Sequence, residues 1–171
     1  MANMNVRPYF DDYDESKGYY RILFRPSYSL QARELTQLQT ISQNQISRIG
    51  DTILKDGDSL DYGEIKYVSG IVTVTEGVFY INGFAVRVDT STIGSADNPI
   101  DNSRVGFLVT EEYIDPSDDT SLYDNAQGTS NYSAPGAHRY NINLELQSRT
   151  MIDSAADLTS DFVEIFRVIE S

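Results

Sequence analysis

The hydrophobic pattern of this chain changes period once, near residue 57. Before that point apolar residues recur at about 100° per residue. Leu35, Leu38, Ile46, Ile49 and Ile53 fall in one narrow stripe, with Ile41 at its fringe. Beyond it, "IVTVTEGVFYINGFAVRV" at residues 71–88 and "RYNINLEL" at residues 139–146 are strand-like, the latter with a strict alternation of period two. A pattern of one period cannot serve the other element. The chain is therefore restricted to an α+β fold: one long N-terminal helix followed by a mainly antiparallel β domain, meander or sandwich-like. The expected organisation is an arm and short strand over 1–26, the helix over 27–57, and the β domain over 58–171, with a long loop over 115–139.

Ser27 or Ser29 can cap the helix and Gly57 can stop it. Continuous to about residue 55, it would be roughly 40 Å long at 1.5 Å per residue. Leu35 and Leu38 return as Ile46 and Ile49, an 11-residue repeat with Ser42 and Gln45 in the seam. Such a repeat suits nearly straight or slightly right-handed contacts. No residue from 35 to 47 is charged, and the other faces carry Thr36, Gln37, Gln39, Thr40, Gln43 and Asn44. A freely solvated helix normally uses Glu and Lys there. The composition points to a helix packed on several sides, with a partner interface formed by Leu35, Leu38, Gln39, Ser42, Gln45, Ile46, Ile49 and Ile53. The alternative is a helix lying on its own sheet by the apolar stripe.

Within 71–88, Glu76-Gly77 and Asn82-Gly83 each match a two-residue hairpin loop and divide the stretch into three strands. "EIKYV" at 64–68 and "RVGFLVTEEYI" at 104–114 add strands, and Asn98-Pro99 marks a turn between them. The segment 160–170 is compatible with a helix through Phe162, Ile165, Phe166 and Ile169, and with a strand through its β-branched residues.

The formal charge is −13 and the basic residues are scattered singly, which argues against a nucleic-acid partner. Asp11, Asp12, Asp14 and Glu15 lack the spacing of a calcium loop and read as a solvated acidic run. There is no Cys and a single His, His138. These are poor materials for a nucleophilic triad or a metal site, so no enzyme, metal or cofactor is expected. No apolar run approaches a transmembrane length, and the N-terminus lacks a signal-peptide core, so folding in a reducing cytoplasm without membrane contact is expected. The 12 Tyr residues suit surfaces that become interfaces.

Two stretches carry a family likeness. "QARELTQLQ" at residues 31–39 and "NYSAPGAHR" at residues 131–139 resemble a helix and a loop of tailed-bacteriophage virion structural proteins, of the tail-fibre and baseplate type. The resemblance spans most of 18–147. Ser27 stands where such proteins often have Gly after Pro, and His138 where they often have Asp. The resemblance implies a non-enzymatic protein of the phage tail, made in the host cytoplasm. It would act as a baseplate or fibre-root adaptor that self-assembles and docks other virion proteins. A homotrimer follows by analogy with fibres. The rival expectation is a monomeric carbohydrate- or receptor-binding β module using tyrosines as stacking platforms. In the loop, Pro135-Gly136 sets a tight turn while Ala134 and Ala137 permit close backbone approach. Arg139 is placed to bind carbonyls or pair with Asp124. Asp124, Gly128, Asn131, Tyr132, Pro135, Gly136 and Arg139 are thus expected to form an ordered, packed structural loop that meets a neighbouring subunit.

Overall fold

The computed structural model describes residues 4–151 and 161–169. It is α+β, with one long helix early in the chain followed by antiparallel strands. The chain forms two compact units, residues 1–66 with 74–91, and residues 67–73 with 92–171. The division expected at residue 58 is not where they separate, because part of the β region completes the unit that holds the helix.

In the first unit, helix α1 spans Ala32–Ile53. At 22 residues it is about 33 Å long, shorter than expected. Ser27 cannot cap it, since its φ of 67° is left-handed whereas a capping residue needs extended backbone. Gln31 takes that position instead: its N–H donates to the Glu34 carboxylate (3.2 Å) and its side-chain oxygen accepts from Arg33 Nε (2.7 Å). The helix ends at Leu54, whose N–H donates to the Gly50 carbonyl (2.8 Å), three residues before Gly57. The short strand expected over 18–24 is absent. A 3-10 turn at Glu15–Lys17 comes just before, and residues 19–24 have neither strand nor helix.

Three strands complete this unit in the order β1-β4-β5: β1 (Ser59–Tyr62), β4 (Gly77–Ile81) and β5 (Phe84–Val88). Asn82 and Gly83, with φ of 49° and 86°, make the expected tight turn between β4 and β5. Glu76-Gly77 is not a hairpin. β3 (Ile71–Val74) pairs with β2 (Ile65–Val68) and with β6 (Ser91–Ile93), whereas β4 pairs with β1 and β5. The glycine at 77 serves close packing instead: a Cβ there would lie 2.5 Å from the Gly63 Cα and 2.8 Å from the Asp61 carbonyl oxygen. Phe79, Ile81, Val86 and Val88 form the core, and Phe79 and Ile81 have no exposed surface.

In the second unit β7 (Ser103–Ile114) is central, flanked by β8 (Arg139–Thr150) and β9 (Phe162–Val168). The ambiguous C-terminal segment is thus a strand over 162–168; residues 160 and 170 lie outside the described residues. Its antiparallel register runs from Ser103↔Val168 to Leu108↔Phe162, with an irregularity at Gly106. Val105, Phe107 and Val109 of β7 are buried with Leu146 and Val168. Arg104 is buried as well: its Nε donates to the Thr150 carbonyl (3.1 Å), and its Nη1 lies 3.9 Å from Glu164.

Candidate functional site

Helix α1 is mounted with the polarity opposite to that of an ordinary surface helix. Its polar side faces its own unit. Gln43 Nε2 donates to the Gly83 carbonyl at the β4–β5 turn (2.6 Å). Buried Tyr80 donates its hydroxyl to Asp51 Oδ1 (2.7 Å), with the Ser47 carbonyl 3.0 Å away. Gly50 leaves room for that ring: a Cβ there would meet Tyr80 Cζ at 2.5 Å. Burial and the Asp51 carboxylate together push the Tyr80 pKa up to about 12.

The acidic cluster of the arm holds the helix from another side. Asp12, Asp14 and Glu15 are exposed, as a solvated run would be, but Asp11 is not. Asp11, 4% exposed, accepts hydrogen bonds from the Thr40 hydroxyl and the Tyr13 N–H. Asp12 pairs with Arg33 (3.1 Å) and accepts from Gln37 Nε2 (3.3 Å), and Glu15 pairs with Arg48. Gln37, Thr40 and Gln43 of α1 are therefore used as hydrogen-bonding groups within the chain. The buried side-chain oxygen of Asn44, by contrast, has no hydrogen-bond partner among the described residues.

Because the polar side packs inward, the apolar stripe points out. Leu35, Leu38, Ile46, Ile49 and Ile53 are all exposed, rising to 67% at Ile49 and 74% at Ile53, while Ile41 at the stripe's fringe is buried. Gln39, Ser42 and Gln45 lie exposed among them. The alternative, a stripe lying on its own sheet, is excluded for this chain. All eight residues expected at a partner interface occupy one outward face. Each of its large apolar side chains would contribute about 1–2 kcal/mol on burial.

The long loop is ordered, but not by packing. Asp124 and the 133–134 pair exchange backbone hydrogen bonds of 2.9 Å, and the Gly136 N–H donates to the Leu122 carbonyl (3.0 Å). Tyr123 and Pro135 form an isolated antiparallel bridge. The Asp124 carboxylate accepts from the Ala126 N–H (2.8 Å), the Asn131 carbonyl from the Ala134 N–H (2.9 Å), and Gly128 turns with φ 83°. Arg139 does not pair with Asp124; its Nη1 donates to the Ala137 (2.6 Å) and His138 carbonyls. Every residue from 125 to 139 is exposed, Tyr132 by 53%. The loop is thus held together by internal turns and stays exposed along residues 125–139. At the start of the loop, Ser117 and Ser121 hydrogen-bond to Asp115 and Asp119 and hold both carboxyls below their ordinary range.

A cavity of about 220 Å³ lies beside α1, with Tyr13, Tyr19, Arg21, Ile22, Arg33 and Ile41 among its lining residues. Sequence reasoning missed it, because its parts come from the arm and the helix. Among the described residues no cluster of three or more His, Asp or Glu could hold a metal ion, and no helix is long and apolar enough to cross a membrane.

The family model described as "Domain of unknown function (DUF4815)" matches residues 7–170, and the chain belongs to that family. No curated protein and no solved structure matches it.

Proposed function

We propose that this DUF4815 chain is a non-enzymatic structural protein that assembles with further copies of itself through the outward face of α1. The observation that carries the reading is the inverted mounting of the helix: its polar side hydrogen-bonds within the chain through Gln43 and Asp51 while Leu35, Leu38, Ile46, Ile49 and Ile53 stand exposed. A second copy is the occupant its chemistry favours. The 11-residue repeat gives a face that can meet its own image along a nearly straight line. Residues 35–47 are uncharged, so two copies can approach there although each carries −13 overall. The resemblance of residues 31–39 and 131–139 to phage tail-fibre and baseplate proteins extends the reading to a tail adaptor, trimeric by analogy, whose exposed loop over 125–139 docks another virion protein.

Light scattering of the purified chain over a concentration series tests this. A stable oligomer, a trimer above all, is the expected result, and Ile49→Asp should return it to monomer with unchanged circular dichroism. A strict monomer at every concentration refutes self-assembly. The cavity beside α1, with Tyr13 and Tyr19 beside Arg21, favours the second reading, a monomeric saccharide-binding module. That reading requires ligand binding by a monomer whose affinity falls on Tyr19→Ala.

A further inference from the structure

Residues 19–24, "YYRILF", combine three properties that rarely coexist in a finished surface. Their composition is strongly β-forming. Among the described residues, none of their backbone groups makes a hydrogen bond. Four of the six side chains are large, apolar and exposed: Tyr19 by 67%, Tyr20 by 66%, Leu23 by 76% and Phe24 by 48%.

The segment is nevertheless held in place. Asp11, Asp12 and Glu15 fasten the preceding arm to α1 through Thr40, Arg33 and Arg48. Ile22, half-buried, lines the same cavity as Ile41 of the helix. At one end the Gly18 N–H closes a turn onto the Glu15 carbonyl (3.0 Å), and at the other Pro26 lacks the N–H that would continue a ladder. A strand-forming segment anchored beforehand costs less ordering entropy when a partner pairs with it.

The chain also offers a matching acceptor. β8 is 12 residues long and, among the described residues, has a strand neighbour on one side only, β7. A long open edge invites a further strand. One face of β8 carries Tyr140, Ile142 and Leu144, and the other Asn141, Asn143 and Glu145. In an extended segment Tyr20, Ile22 and Phe24 fall on one side, and Arg21 falls on the other between Tyr19 and Leu23. Added to β8 with like faces aligned, it would extend the apolar face and set Arg21 on the face of Glu145.

We infer that residues 19–24 pair as an added β-strand with the open edge of β8 in a second copy of the chain. This rests on the self-assembly proposed above and names its second contact. It is strand addition, in which main-chain hydrogen bonds supply affinity and alternate side chains set the register.

Amide hydrogen exchange on the full chain, with the oligomer established by light scattering, is the test. In the oligomer every second amide within 19–24 should slow by on the order of tenfold or more, because a strand added at one edge bonds through alternate residues. In the monomeric Ile49→Asp variant the protection should vanish. The chain has no cysteine, so Arg21→Cys can be mixed under oxidising conditions with Asn141→Cys, Asn143→Cys or Glu145→Cys in turn. One of the three mixtures should yield disulfide-linked heterodimers in large excess over the others. An oligomer in which all six amides exchange freely, or in which no mixture cross-links, overturns strand addition and leaves helix-mediated assembly standing. Protection that persists in the monomeric variant places the pairing within one chain and overturns the exchange between copies. A wild-type monomer at every concentration overturns both readings.

Discussion

Tyr80→Phe isolates the contact that mounts α1 on its sheet. The ring is 4% exposed and its hydroxyl donates to Asp51 Oδ1 at 2.7 Å. Phenylalanine keeps the ring volume, so no cavity forms and the cost is that of the hydroxyl alone. A hydrogen bond to a charged acceptor contributes about 1.5–3 kcal/mol, so a loss of about 2 kcal/mol is expected. For a chain of this size, at about 2–4 °C per kcal/mol, the melting temperature should fall by about 4–8 °C. Alkaline pH supplies a second, independent signature. The Tyr80 pKa is pushed up to about 12 from an ordinary 10.0, by burial first and by Asp51 second. A raised folded-state pKa contributes stability that is complete below pH 10 and is lost as the pH rises through 12. The gap between wild type and variant in urea unfolding should therefore be constant from neutral pH to about pH 9 and should narrow above pH 10. A variant within about 0.5 kcal/mol of wild type, or a gap unchanged up to pH 11.5, would refute the assignment of this hydroxyl as the mount of the helix.

Asp11→Ala should cost about 1–3 kcal/mol by leaving the Thr40 hydroxyl and Tyr13 N–H without their shared acceptor, and limited proteolysis should cut residues 4–25 sooner. In Gly77→Ala the new methyl meets the Gly63 backbone, where nothing flexible can yield, so a loss of about 2 kcal/mol or more and faster amide exchange in β1 are expected. Ser117 holds the Asp115 carboxyl below its ordinary 3.8, so the turn it closes is complete above that value and opens as the pH falls through the lowered one. The Ser117 amide resonance should report this titration in wild type, and Asp115→Asn should abolish it.

Much of this architecture was legible from local chemistry. The α+β order follows from the single change of hydrophobic period. Asn82-Gly83 marks its turn because both residues accept positive φ. The alternation of Tyr140, Ile142, Leu144 and Leu146 identifies β8 before any partner is known. The errors share a cause as well. Glu76-Gly77 has the chemistry of a hairpin, but the strands before and after it join different sheets, and the glycine answers to Gly63, fourteen positions earlier in the chain. Ser27 and Ser29 are good capping residues by type, yet the helix starts only at Ala32 and Gln31 holds the cap position. "GYYRILF" has strand-forming residues but no neighbouring strand among the described residues, and a strand exists only through its ladder.

The stripe of α1 was plain in the sequence; which way it faced was not. Periodicity places Leu35, Leu38, Ile46, Ile49 and Ile53 on one side of a helix and carries no information on what that side meets. The outcome was set by contacts far apart in the chain: Gln43 with Gly83, Tyr80 with Asp51, and Thr40 with Asp11. Those hydrogen bonds hold the polar side against the chain and leave the apolar side in water. The amino-acid order by itself determined the elements, their order and the composition of each face, because these depend on neighbours a few residues apart. Only the tertiary structure decided that the polar face turns inward and that the acidic arm is a clasp, because both depend on groups that the fold brings together across tens of residues.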